Sequence, residues 1–162
     1  MEHFLKVKSK RIICMELKLD DGELKTFTSR TVLFKEGDKA TKLFKVHSGE
    51  ILILKELNSR LTPVYLAKEG DIIGEVSCFA DTFHTYSAVT KNSVRLEEIS
   101  ALKIKHHLKE SPDWMRDLLA SMVNRLAETI HLLSENRIQH ESIISAGEFT
   151  PEFEVQLKKL LA

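Results

Sequence analysis

The residue types best suited to gripping an anion are concentrated between Gly70 and Val89. Gly70 and Gly74 permit sharp backbone turns, and Glu75 to Phe79 can wind one short helix. The free N–H groups of that helix start, from Gly74 through Val76 to Ser77, point back at the turn and form a ready site for negative oxygen. Tyr86, Ser87, Ala88 and Val89 then return to strand-like composition, so the stretch reads as strand, turn, one-turn helix, loop, strand. Between Asp71 and Thr90 there is no Lys or Arg, and His84 is the one side chain able to carry positive charge.

The elements that must position this stretch follow a regular punctuation. Val32-Leu33-Phe34 leads into Glu36-Gly37-Asp38, and Leu43 to Val46 leads into Ser48-Gly49-Glu50. Ile51 to Leu54 leads into Asn58-Ser59-Arg60, and Val64 to Leu66 leads into Gly70-Asp71. Short apolar runs separated by turn signals about every ten residues predict an antiparallel sandwich or barrel, closed by a strand over Ser93 to Ile99. Upstream, Met15, Leu17 and Leu19 alternate with charged residues before Asp20-Asp21-Gly22 and Leu24 to Thr28, which predicts a hairpin.

Taken in order, these motifs resemble the cyclic-nucleotide-binding domain of the cAMP receptor protein family over about Phe27 to Asn136. The resemblance implies a mainly β, α+β fold: an antiparallel jelly-roll barrel (double-stranded β-helix) with a short cassette helix and a long C-terminal dimerisation helix. It implies that the Gly74 to Ser77 turn holds the phosphate of cAMP or cGMP, that Glu75 accepts from the ribose 2′-hydroxyl, and that Ser87 donates to a phosphate oxygen. It also places Thr129 over the base. The chain departs from the family at Tyr86, which stands where an arginine meets the phosphate. One neutral O–H is worth about 1 kcal/mol against about 1.5–3 for a charged donor, so binding is expected to weaken by about ten- to a few hundred-fold unless His84 compensates.

After Ser100 the pattern turns helical. Ala101 to Lys109 is a short segment, and Ser111-Pro112-Asp113 supplies an N-cap, a proline at the first helical position and an acid in the first turn. In the long helix that follows, Met115, Leu119, Met122, Leu126, Thr129, Leu133 and Asn136 alternate spacings of four and three, the seam of a coiled coil. Trp114, Leu118, Val123, Ile130 and Leu132 provide a second apolar set for contact with the barrel. Asn136 in the seam would fix a parallel register. Gly147 is a helix stop, and Thr150-Pro151-Glu152 starts a short amphipathic helix carrying Phe153, Leu157, Leu160 and Leu161 on one face.

Among 162 residues, 43% hydrophobic and 30% charged, Lys+Arg and Asp+Glu both number 24. That balance supplies no bulk attraction for DNA or anionic lipid, and Lys103, Lys105 and Lys109 read as a solvated face. The chain stops at Ala162 without the winged helix-turn-helix of the family's transcription regulators, so no DNA binding is expected of it. No run approaches the length of a membrane span or a signal peptide, and a cytoplasmic location is expected. Cys14 and Cys78 fit buried, reduced thiols. His47 is isolated and His106-His107 diverge by about 100° on a helix, so no metal site and no enzyme are expected.

The sequence therefore predicts a barrel over 1–110 with a variable N-terminal hairpin, a dimerisation helix over 111–140, and a linker with a short helix over 141–162. The expected function is a non-catalytic regulatory sensor, without a resident cofactor, that binds cAMP or cGMP and signals through a homodimer to an effector protein or domain. The alternative is a degenerate fold that serves dimerisation or protein interaction, or takes a different ligand such as a cyclic dinucleotide.

Overall fold

The computed structural model describes residues 22–80, 82–135 and 149–162. The first strand of the expected hairpin, Cys14, Asn136 and the 141–148 linker lie outside them. The described chain forms two four-stranded antiparallel sheets. One contains β1 (Glu23–Phe27), β8 (Val94–Ser100), β3 (Lys42–Ser48) and β6 (Ile72–Ile73), in that order; the other contains β2 (Val32–Phe34), β7 (Ser87–Thr90), β4 (Ile51–Leu57) and β5 (Arg60–Ala67). Helices α1 (Glu75–Ala80), α2 (Ala101–Glu110), α3 (Asp113–Glu135) and α4 (Pro151–Leu161) complete it.

Strand parity separates two apolar layers. On β4, Ile51 and Ile53 join Phe34, Phe44, Val46, Tyr86, Ala88 and Leu96 in the interior, whereas Leu52 and Leu54 join Leu61, Leu66 and Val89 on the opposite face. Antiparallel sheets usually leave one face wet. Here that outer face is covered by α4, whose Leu157 is fully buried and whose Phe153 and Leu161 pack on the same cluster. Thr150 caps α4 by accepting from the Phe153 N–H, with Pro151 in the first turn. A buried carboxylate locks the contact: Glu154 accepts from the Leu61 N–H at 3.1 Å, from Arg60 Nε at 3.1 Å and from Lys158 Nζ at 2.9 Å.

The corner between α2 and α3 departs from expectation. Ser111 does not cap α3; its N–H donates to Leu108 O and its hydroxyl to His107 O, finishing α2. Arg116 reaches back from α3 to the carbonyls of Leu108, Lys109 and Ser111, satisfying orphan acceptors at the end of α2.

Helix α3 meets α1, β4 and β5. Val123 is buried against the interior cluster with Ala127 beside it, while Met115 and Leu119 are half-buried. Trp114, Leu118 and Leu132, expected to face the barrel, are instead exposed at 62%, 52% and 50%, together with Met122 and Leu126. The reason is angular: a row at 119, 123 and 127 faces the barrel, and the row at 114, 118, 122 and 126 then lies about 100° around the helix. No described helix is long and apolar enough to cross a membrane.

Candidate ligand cassette

The cassette begins where β6 pairs with β3 and delivers the chain to Gly74. Gly74 is buried and has φ +83°, a left-handed conformation that resists a side chain. A Cβ there would also come within 3.4 Å of His84 Cε1 and of Lys42 O. The turn launches α1, with Cys78 N–H donating to Gly74 O. The loop after α1 is pinned to the turn between β2 and β3: His84 N–H donates to Asp38 O at 2.7 Å, and Gly37 N–H donates to His84 O at 2.8 Å.

Tyr86, the residue before β7, points inward. It is 3% exposed, its ring lies 5.7 Å from that of Phe34, and its hydroxyl accepts from the Gly74 N–H at 3.1 Å. The same hydroxyl donates towards Glu75 Oε2 at 3.5 Å. Burial, reinforced by the Glu75 charge, pushes the phenol pKa far up, so the hydroxyl keeps its proton. Burial likewise raises the Glu75 carboxyl, with Asp71 adding repulsion and the hydrogen bond from Tyr86 opposing it. Asp71 in turn accepts from the Tyr65 hydroxyl at 2.8 Å, and burial with this bond pushes the Tyr65 phenol up to about 12.

His84 lies in the interior. It is 4% exposed and stacked on Phe34, with ring centroids 3.9 Å apart and planes 15° from parallel. Burial lowers its pKa against the opposing pull of Asp38, so the charged form is disfavoured. Its Nδ1 and the hydroxyl of fully buried Ser77 have no hydrogen-bond partner among the described residues. Val76 is core, and Cys78 is a buried free thiol whose pKa burial pushes up to about 11.

The structure thus brings Gly74, Glu75, His84 and Tyr86 together and leaves Ser87 and Thr129 apart. Ser87 pairs with Leu54 on the outer face, and its hydroxyl accepts from the Glu36 N–H at 2.9 Å. Ala88 is buried in the interior beside Tyr86. Thr129 is exposed on α3, its hydroxyl donating to Arg125 O at 2.8 Å. Sequence reasoning missed Phe34, Tyr65 and Asp71 as walls of this site, because Phe34 and Asp71 read only as strand and turn punctuation. No ion pair reaches Glu75 among the described residues, and Asp71 is near enough to repel its charge.

Elsewhere, His47 Nε2 lies 2.8 Å from Glu97. The ligand atoms of His106, His107 and Glu110 lie within 4.8 Å of one another on the exposed last turn of α2, closer than the angular argument allowed.

Residues 24–111 match the family model for the cyclic nucleotide-binding domain. The chain belongs to this family. Its curated relatives include the cAMP-activated global transcriptional regulator CRP of Escherichia coli O157:H7, 26% identical over 117 residues that cover 71% of this chain and 56% of that protein. The CRP of Pasteurella multocida is 25% identical over 123 residues, covering 74% and 58%. The chain therefore spans little more than half the length of these relatives. Among solved structures, the EAL enzyme Bd1971 in its cAMP-bound form superposes with TM-score 0.64 at 18% identity, covering 70% of this chain and 30% of that one. The c-di-GMP responsive global regulator CLP of Xanthomonas campestris gives 0.55 at 23%, covering 72% and 58%. Within this family fold, Tyr86 takes for itself the backbone donor at the start of the cassette helix.

Proposed function

We propose that this chain is a non-catalytic regulatory module of the cyclic nucleotide-binding fold, a jelly-roll barrel whose phosphate clasp is closed from within by Tyr86. One observation carries the reading: the Tyr86 hydroxyl sits on the Gly74 N–H, the donor a phosphate would need. The electrostatics agree with it. A cyclic phosphate entering would meet the carboxyl of Glu75 with Asp71 close by, and among the described residues no ion pair reaches that carboxyl. The module then works by association. The exposed row Trp114, Leu118, Met122 and Leu126 on α3 serves a homodimer that signals to an effector, with the barrel over 1–110, the dimer helix over 111–140 and a linker with α4 over 141–162.

A second reading is favoured by the unpartnered Ser77 hydroxyl and His84 Nδ1: a cyclic nucleotide displaces Tyr86 and uses Glu75 for its ribose. Calorimetric titration of cAMP and cGMP into wild type and Tyr86→Arg separates the two. Silence from wild type and heat from Tyr86→Arg support the closed clasp. Saturable binding to wild type that Glu75→Ala abolishes refutes it and establishes the sensor.

A further inference from the structure

The sheet face opposite the cassette carries a cavity of about 200 Å³ beneath α4, partly open to solvent. Its apolar lining comes from both sides of a contact: Leu52 on β4 and Val89 on β7 from the sheet, Phe153 and Leu157 from the helix. A dry cavity of about 150 Å³ takes a benzene ring, so this one has room for a ring with a short arm.

The polar lining is selective. Thr90 is already spent, its hydroxyl donating to Thr28 O at 2.6 Å and accepting from the Thr31 N–H at 2.8 Å. Lys91 lies 3.7 Å from Glu50. Arg30 is different: it is exposed, it lines the cavity, and it forms no ion pair among the described residues. Its backbone is pinned. Arg30 has φ +61° in the turn between β1 and β2, with its N–H donating to Thr90 O at 2.8 Å. A guanidinium fork beside an apolar pocket matches a carboxylate on an apolar body, because the fork pairs with both oxygens of one monoanion.

We propose that this cavity is an effector site for a small amphipathic monocarboxylate, an aromatic or short branched acid, whose carboxylate pairs with Arg30 and whose body lies between the sheet and α4. Because the occupant touches Leu52 and Val89 on one side and Phe153 and Leu157 on the other, occupancy tightens α4 on the barrel. The cavity lies on the face of β7 that carries Val89, whereas Ala88 of the same strand joins Tyr86 in the interior.

The test uses the full chain and phenylacetate as probe, with phenylacetamide as its uncharged counterpart. Binding is read by calorimetry and by the methyl resonances of Leu52, Val89 and Leu157. Saturable binding of phenylacetate with shifts at these methyls, and at least tenfold weaker binding of the amide, is expected. Arg30→Asn, which tolerates the left-handed turn, is expected to weaken phenylacetate by about ten- to a hundredfold without lowering Tm, and Arg30→Lys by less. Slower amide exchange across α4 on binding is also expected. The proposal is overturned by no saturable binding at millimolar phenylacetate, by equal affinity for the amide, by indifference to Arg30→Asn, or by shifts confined to the cassette.

Discussion

Replacing Tyr86 with Phe isolates the hydroxyl that closes the cassette. The ring stays, so packing against Phe34 is kept and no large cavity opens. What disappears is the acceptor for the buried Gly74 N–H at 3.1 Å, and an orphaned buried donor costs about 1–3 kcal/mol. The link to Glu75 at 3.5 Å stands at the outer limit of a hydrogen bond and adds little. At about 2–4 °C per kcal/mol for a chain of this size, Tm should fall by several degrees, as read by circular dichroism with a urea titration alongside. The pH dependence gives a second readout. Glu75 holds its proton more tightly folded than unfolded, so between its ordinary and its raised pKa the native state binds more protons and stability falls as pH rises. Tyr86→Phe removes a bond that lowers this pKa, which should steepen the fall and extend it to higher pH. Glu75→Gln should abolish it. Equal stability of Tyr86→Phe and wild type across pH 4–8 would refute the claim that Tyr86 seals the Gly74 N–H.

Gly74→Ala forces a side chain into φ +83°, and should cost about 1–2 kcal/mol by urea titration; a neutral outcome would show that the turn relaxes. Glu154→Ala strands the Leu61 N–H and should destabilise by about 1–3 kcal/mol, with faster amide exchange in α4 than in β7; uniform exchange would show that α4 is not separately locked. Ionised Glu154 is buried, which alone would raise its pKa, but Lys158, the Leu61 N–H and Arg60 overcome this and lower it. Its contribution should therefore be present above the ordinary carboxylate pKa and be lost as pH falls through the lowered one, a dependence absent in Glu154→Gln. The proposed pairing through α3 predicts a wild-type dimer in sedimentation equilibrium that Leu118→Glu with Met122→Glu converts to a monomer, with a red-shifted emission of Trp114; a monomeric wild type or an unchanged mass would refute that pairing.

Local chemistry wrote much of this protein into its sequence. The order of apolar runs and Gly-containing turns specified the antiparallel strands, because turn preferences and period-two alternation act over a few residues. Gly70 and Gly74 marked the cassette, the missing arginine marked its departure from the family, and Thr150-Pro151 marked the start of α4. The tertiary structure decided what pairing between distant segments decides. Register turned Tyr86 inward and Ser87 outward, and a slip of one residue would reverse both. The ring of Phe34, fifty positions upstream, made His84 a buried, stacked side chain, and the angular setting of α3 chose Val123 over Trp114 for the barrel. The apolar Leu52 and Leu54 face forecast neither its cover nor its cavity, because both arise only when α4, about a hundred residues later, folds back onto β4 and β7.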